Sequence, residues 1–140
     1  MAEDVDQNTA ESAFEGHALS VSLTVTDLER SLAWYRDVIG FSVRRTFERE
    51  GKLMAVSLVA GEARILLSRD DGAQGLDRTR GAGFSIQITT EQNIDALADR
   101  IKDRGTTLDD EPRDFRWGQR AFRLRDPDGF KLTISSVVDA

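Results

Sequence analysis

Between residues 19 and 137 the same order of hydrophobic patterns occurs twice. Leu19, Val21, Leu23 and Val25 alternate with Ser20, Ser22 and Thr24, which predicts a strand with one buried face. Thr26 and Glu29 then have the spacing of a capping box, ahead of a helical stripe of Leu28, Leu32, Tyr35 and Ile39. Gly40 is placed to end that helix in a left-handed conformation. Three strand-like runs follow at about 41–48, 52–60 and 63–69, with turns at Glu50-Gly51 and Gly61-Glu62.

The second copy starts near Gly81. Phe84, Ile86 and Ile88 alternate with Ser85, Gln87 and Thr89, and Thr89 with Gln92 suggests another capping box. Ile94, Leu97, Ala98 and Ile101 form the next helical stripe, which Gly105 closes. Strands are expected near 106–112, 117–125 and 130–137, the last two joined by a turn at Asp126-Pro127-Asp128-Gly129.

The fold these patterns predict is α+β: two tandem βαβββ modules, about 18–69 and 81–138, in one domain over 17–138. Each helix covers the apolar face of its sheet. Placed side by side, the sheets make a curved mixed sheet whose opposite faces line a cleft for a small molecule. A length of 140 residues suits this single domain.

Charge narrows the partners. The net charge is −6, but residues 1–16 carry Glu3, Asp4, Asp6, Glu11 and Glu15 and no base. Removing those five from 25 acids leaves 20 against 19 bases, so the body is nearly neutral. A nearly neutral body argues against a nucleic-acid partner. The tail reads as disordered, with a docked helical turn at Ala10, Ala13 and Phe14 as the alternative. The absence of cysteine excludes disulfides, thiol nucleophiles and thiolate metal sites. No run has the length and apolarity of a membrane span or the pattern of a signal peptide, so the expectation is a cytoplasmic protein with no membrane partner.

Two segments resemble a known family. Residues 25–41, VTDLERSLAWYRDVIGF, are similar to the first-helix signature of the vicinal oxygen chelate superfamily, which includes glyoxalases, bleomycin-resistance proteins and dioxygenases. Trp117-Gly118, Phe122 and the run 124–132, LRDPDGFKL, resemble its closing hairpin. The resemblance spans about 18–137 and implies paired βαβββ modules and a homodimer. It also implies a divalent metal in catalytic members, held by His and Glu. The matching positions here are Ser20, Leu66, either Gly83 or Ser85, and Thr133. Gly83 is the expected choice of that pair, since Phe84 faces the helix. None of these side chains is a good divalent-metal ligand. The expectation is therefore no metal and no cofactor, with metal-dependent glyoxalase or dioxygenase chemistry disfavoured.

The cleft is expected to be lined mostly by hydroxyl, amide and cationic groups, Ser20, Ser22, Arg64, Ser85, Gln87, Lys131 and Thr133, with Leu66 as an apolar floor. Trp117 matches the cleft-mouth tryptophan that the resemblance implies, and could stack on a flat ligand. Arg116 and Arg120 flank it as candidate carboxylate or phosphate clamps. His17 is the only histidine, and no catalytic group can be named. Tyr35 is expected in the core, and Trp34, off the stripe, at a subunit contact. The leading reading is metal-independent binding of a small organic molecule, anionic or aromatic, for drug or metabolite sequestration. The alternatives are a metal-free lyase or isomerase acting on an anionic carbonyl compound, and a dimeric scaffold or regulatory module.

Overall fold

The computed structural model describes residues 13–72, 80–116 and 118–137. The element order is β1 (Val21–Val25), α1 (Leu28–Ala33) running into a π-helical segment (Trp34–Ile39), β2 (Ser42–Arg49), β3 (Lys52–Ala60) and β4 (Ala63–Arg69). Then come β5 (Ser85–Thr90), α2 (Ile94–Asp103), β6 (Asp110–Asp114), β7 (Arg120–Arg125) and β8 (Lys131–Ser136). The strands form two four-stranded sheets, ordered β1-β4-β3-β2 and β5-β8-β7-β6. In each, the first strand pairs parallel with the last and the others are antiparallel. The βαβββ unit thus occurs twice. The two sheets are separate ladders, with β1 and β5 both at edges.

Alternation decides which face each strand buries. Leu23, Val25, Val56, Leu58, Ile65 and Leu67 are buried in the first sheet, and Ile86, Phe122, Leu124, Leu132 and Ile134 in the second. Leu28 and Tyr35 cover the former, and Ile94, Ala98 and Ile101 the latter, in one core cluster that joins both modules. Each large side chain buried in this way contributes roughly 1.5–3 kcal/mol of transfer free energy.

Both helix starts differ from the expected capping boxes. Asp27 caps α1, its carboxylate accepting from the Arg30 amide, and Asn93 caps α2 by accepting from Ala96. Asp27 stands one residue beyond Thr26 and Asn93 four beyond Thr89, and each places its side-chain oxygen on the free amide three residues on. Thr26 is engaged elsewhere: its amide and hydroxyl donate to the Asp128 carboxylate at 2.8 and 2.6 Å.

Gly40 ends the first helix as expected, with φ at +112°, but the last turn is widened. The amides of Gly40 and Phe41 both donate to the Tyr35 carbonyl. A side chain on Gly40 would also stand 2.8 Å from the Arg100 guanidinium, whose Nη2 donates to the Ile39 carbonyl.

The modules are joined along a polar seam. Besides Thr26 and Asp128, the Tyr35 hydroxyl donates to Asp126 at 2.8 Å. Arg30 donates to the Pro127 carbonyl, and Trp34 Nε1 to Thr106 Oγ1 at 3.1 Å. Trp34 therefore has a partner inside its own chain, at the seam. The Asp126-Pro127-Asp128-Gly129 turn docks the second module on the start of α1, and Gly129 takes φ +93° there.

The expected strands 106–112 and 117–125 are displaced to β6 and β7. A tight turn takes up the residues between them: Phe115 donates its amide to Gln119, and Gly118 to Phe115. Pro112 has no amide to give, and the β6–β7 register shifts between Asp110 and Arg113. Of the acidic tail, residues 13–16 carry no helix or strand, and Phe14 is 82% exposed. The expected turn through Ala10 lies partly outside the described residues. No described helix is long and apolar enough to cross a membrane.

Candidate functional site

Each sheet has a face turned away from its helix. On the first sheet, Ser22, Leu66 and Ser57 share one cross-strand row, with Arg64 beside Val59 in the row flanking it. Ser22 is exposed, and Arg64 and Leu66 are half-buried. Ser20 lies exposed just ahead of β1. On the second sheet, one row is Ser85, Lys131 and Arg125, and the next is Gln87, Thr133 and Arg123. A cavity of about 490 Å³ opens over these rows, lined by Phe84, Ser85, Gln87, Arg123, Lys131 and Thr133 among others.

The hairpin turn after β6 closes part of this second face. Gln119 Nε2 donates to the Ser136 carbonyl, and Ala121, Thr133 and Ser135 are buried. Ser85, Gln87 and Lys131 stay exposed. The Phe115 ring has the Arg113 guanidinium 4.0 Å and the Arg123 guanidinium 4.9 Å from its centroid. Arg123 is paired with Asp110 at 3.6 Å and Arg125 with Asp109 at 2.9 Å. Lys131 has no carboxylate within ion-pair distance among the described residues.

Ser22 and Leu66 are thus together on one sheet, and Ser85, Gln87, Lys131 and Thr133 on the other. Arg120 stands apart. It falls on the helix side of β7, where Asp95 of α2 and Asp114 hold its guanidinium at 2.8 and 3.1 Å. Hydrogen bonds to those two carboxylates raise its pKa above the ordinary arginine value. Arg116 is exposed on the hairpin turn, and Trp117 lies outside the described residues. His17 is exposed ahead of β1. Sequence reasoning passed over Arg123, Arg125 and the Arg113–Phe115 stack. The strand alternation that buries Phe122 and Leu124 also turns Arg123 and Arg125 to the opposite face, so those two were accessible to it.

A larger cavity, about 1050 Å³, lies at the seam between the β3–β4 hairpin and β5, with Gly61, Thr89 and Arg100 in its wall and Gln87 common to both cavities.

The Glyoxalase/Bleomycin resistance protein/Dioxygenase superfamily model matches residues 16–134. The chain belongs to this superfamily. Among its relatives, a lactoylglutathione lyase of Salmonella typhimurium is 28% identical over 128 residues, covering 87% of this chain and 93% of that protein. A superfamily member from Sphaerobacter thermophilus shares the fold at TM-score 0.70 and 25% identity, covering 88% of this chain and 98% of its own. TnmS3, an antibiotic binding protein from Streptomyces sp. CB03234, does so at TM-score 0.68 and 21% identity, covering 90% and 98%.

The metal that this superfamily implies can be tested against the residues present. Ser20 stands two residues before Ser22, the partner of Leu66 in β4, and Ser85 stands two residues before Gln87, the partner of Thr133 in β8. Ser85 is therefore the counterpart of Ser20, rather than the expected Gly83. Gly83 and Ser85 differ by two positions, so alternation alone does not separate them. Three hydroxyls and the Leu66 isobutyl group do not fit a divalent metal, which takes imidazole, carboxylate or thiolate. Among the described residues, no three His, Cys, Asp or Glu side chains gather in a metal-holding group.

Proposed function

We propose that this chain is a metal-independent small-molecule-binding protein, acting in the cytoplasm as a homodimer and sequestering a drug or metabolite on its helix-free sheet faces. The observation that carries this reading is the set Ser20, Leu66, Ser85 and Thr133 at the positions where the superfamily's catalytic members place metal ligands. The three hydroxyls at those positions suit hydrogen bonding to an organic ligand, with Leu66 as an apolar floor. TnmS3, with the same fold, is an antibiotic binding protein, which supports binding as a use of this architecture. Dimerisation is supported by the surface that one chain leaves open. All eight residues of β2 are exposed, and a second copy would close the open faces.

The test is an amide chemical-shift screen of chelator-treated protein against a library of small aromatic and metabolite-like compounds. Shifts concentrated at Ser22, Leu66, Ser85 and Thr133 are expected. Binding that appears only after a divalent metal is added would overturn the reading.

The lactoylglutathione lyase relatives favour one second reading, a metal-free lyase or isomerase acting on an anionic carbonyl compound. Arg64 and Lys131 would hold the charge. Formation of S-lactoylglutathione from methylglyoxal and glutathione by the same chelator-treated protein would support it, and no formation would remove it.

A further inference from the structure

The chain is acidic as a whole, at −6, yet the faces turned away from its helices are not. On the first sheet that face carries Arg45, in the row of Ser57, and Arg64, in the row of Val59. On the second sheet the cations divide into two kinds. Arg123 and Arg125 are compensated by Asp110 and Asp109. Lys131 is not compensated by any carboxylate among the described residues. It stands on β8, an interior strand, between Ser85 and Arg125 and over the 490 Å³ cavity.

Position decides what this ammonium requires. While the face is open, water solvates it. A ligand that fills the cavity removes that water, and a desolvated cation without a counter-charge is strongly unfavourable. A neutral or cationic occupant would be penalised, whereas an anionic one would be rewarded by a charge-assisted hydrogen bond. The rest of the cavity is suited to a flat body. Asp109 and Asp110 also line it but are taken up by Arg125 and Arg123, and the planar Arg123 guanidinium, already against the Phe115 ring, offers a flat face.

We infer that Lys131 anchors the carboxylate of a flat aromatic ligand on the second module, with Ser85 as a hydrogen-bond partner and the Arg123 guanidinium against the ring. This ligand class rests on the binding reading above. Lys131 also sets specificity, selecting anions over neutral compounds of the same shape.

The experiment compares naphthoate with naphthamide, one charged and one neutral but nearly the same shape, by titration calorimetry and amide shifts. Wild type is expected to bind naphthoate about tenfold more tightly or better. Lys131→Met should bring the two affinities together, weakening naphthoate and tightening naphthamide, which no longer has to desolvate an unpaired ammonium. Lys52→Met, which removes an exposed cation at the start of β3, should keep the wild-type ratio. Equal binding by wild type, an unchanged ratio in Lys131→Met, or an equal loss in Lys52→Met would each overturn the inference. Equal binding that still shifts Ser85 and Thr133 leaves the binding reading standing and removes only the anionic class. Binding of neither compound overturns the ligand class, and the library screen then decides the binding reading separately.

Discussion

Asp126 accepts three hydrogen bonds, from the Tyr35 hydroxyl and from the amides of Asp128 and Phe130. Burial nonetheless pushes its carboxyl pKa above the ordinary value of 3.8, with those hydrogen bonds opposing the shift. A raised pKa means that the folded state holds the proton to higher pH than the unfolded chain does. The stabilising contribution of Asp126 is then complete below 3.8 and is lost as pH rises through the raised value. Asp126→Asn has no such proton to lose. Relative to that variant, wild type should lose stability as pH rises from about 4 toward neutrality, read from urea midpoints at matched pH. A pH-independent difference would contradict the shift. Asp126 could be recognised from the sequence as part of a turn, but its burial under Tyr35, 91 residues away, could not.

At the scale of elements, β3 and β4 lie where their alternation predicts, because each has one face under a helix. The caps and β6 were less legible. Thr26 has the local chemistry of a cap but is claimed by Asp128, 102 residues distant. β6 has few apolar residues to mark its period. The connection between the modules has a feature no pattern showed. Arg80 and Asp70 form an ion pair at 2.5 Å with side chains 6% and 3% exposed. Arg80 also donates to the Thr24 carbonyl, and the Asp70 amide to that of Val25, so both ends of the connection are tied to β1. Removing one member of a buried pair costs about 3–5 kcal/mol, more than an exposed pair contributes. Arg80→Met is expected to cost that much in denaturant unfolding. A cost under about 1 kcal/mol would mean that the pair does not hold the connection.

At the scale of the molecule, the duplicated order of strands made the two-module fold legible before any coordinate. The same alternation identified Ser22, Leu66, Ser85, Gln87, Lys131 and Thr133 as facing away from the helices. It did not reveal that the two sheets remain separate ladders, because strand patterns carry no information about how edges meet. Nor did it place Arg120, whose neighbours suggested a clamp but whose position on β7 turns it toward Asp95. The central claim is that this superfamily member holds an organic ligand without a metal. Native mass spectrometry of protein purified without added metal or ligand tests it most directly. A dimer that retains an organic mass and no stoichiometric divalent metal is the predicted result. One divalent metal per site would contradict it, and would mean that Ser20, Leu66, Ser85 and Thr133 do not mark where this protein binds metal.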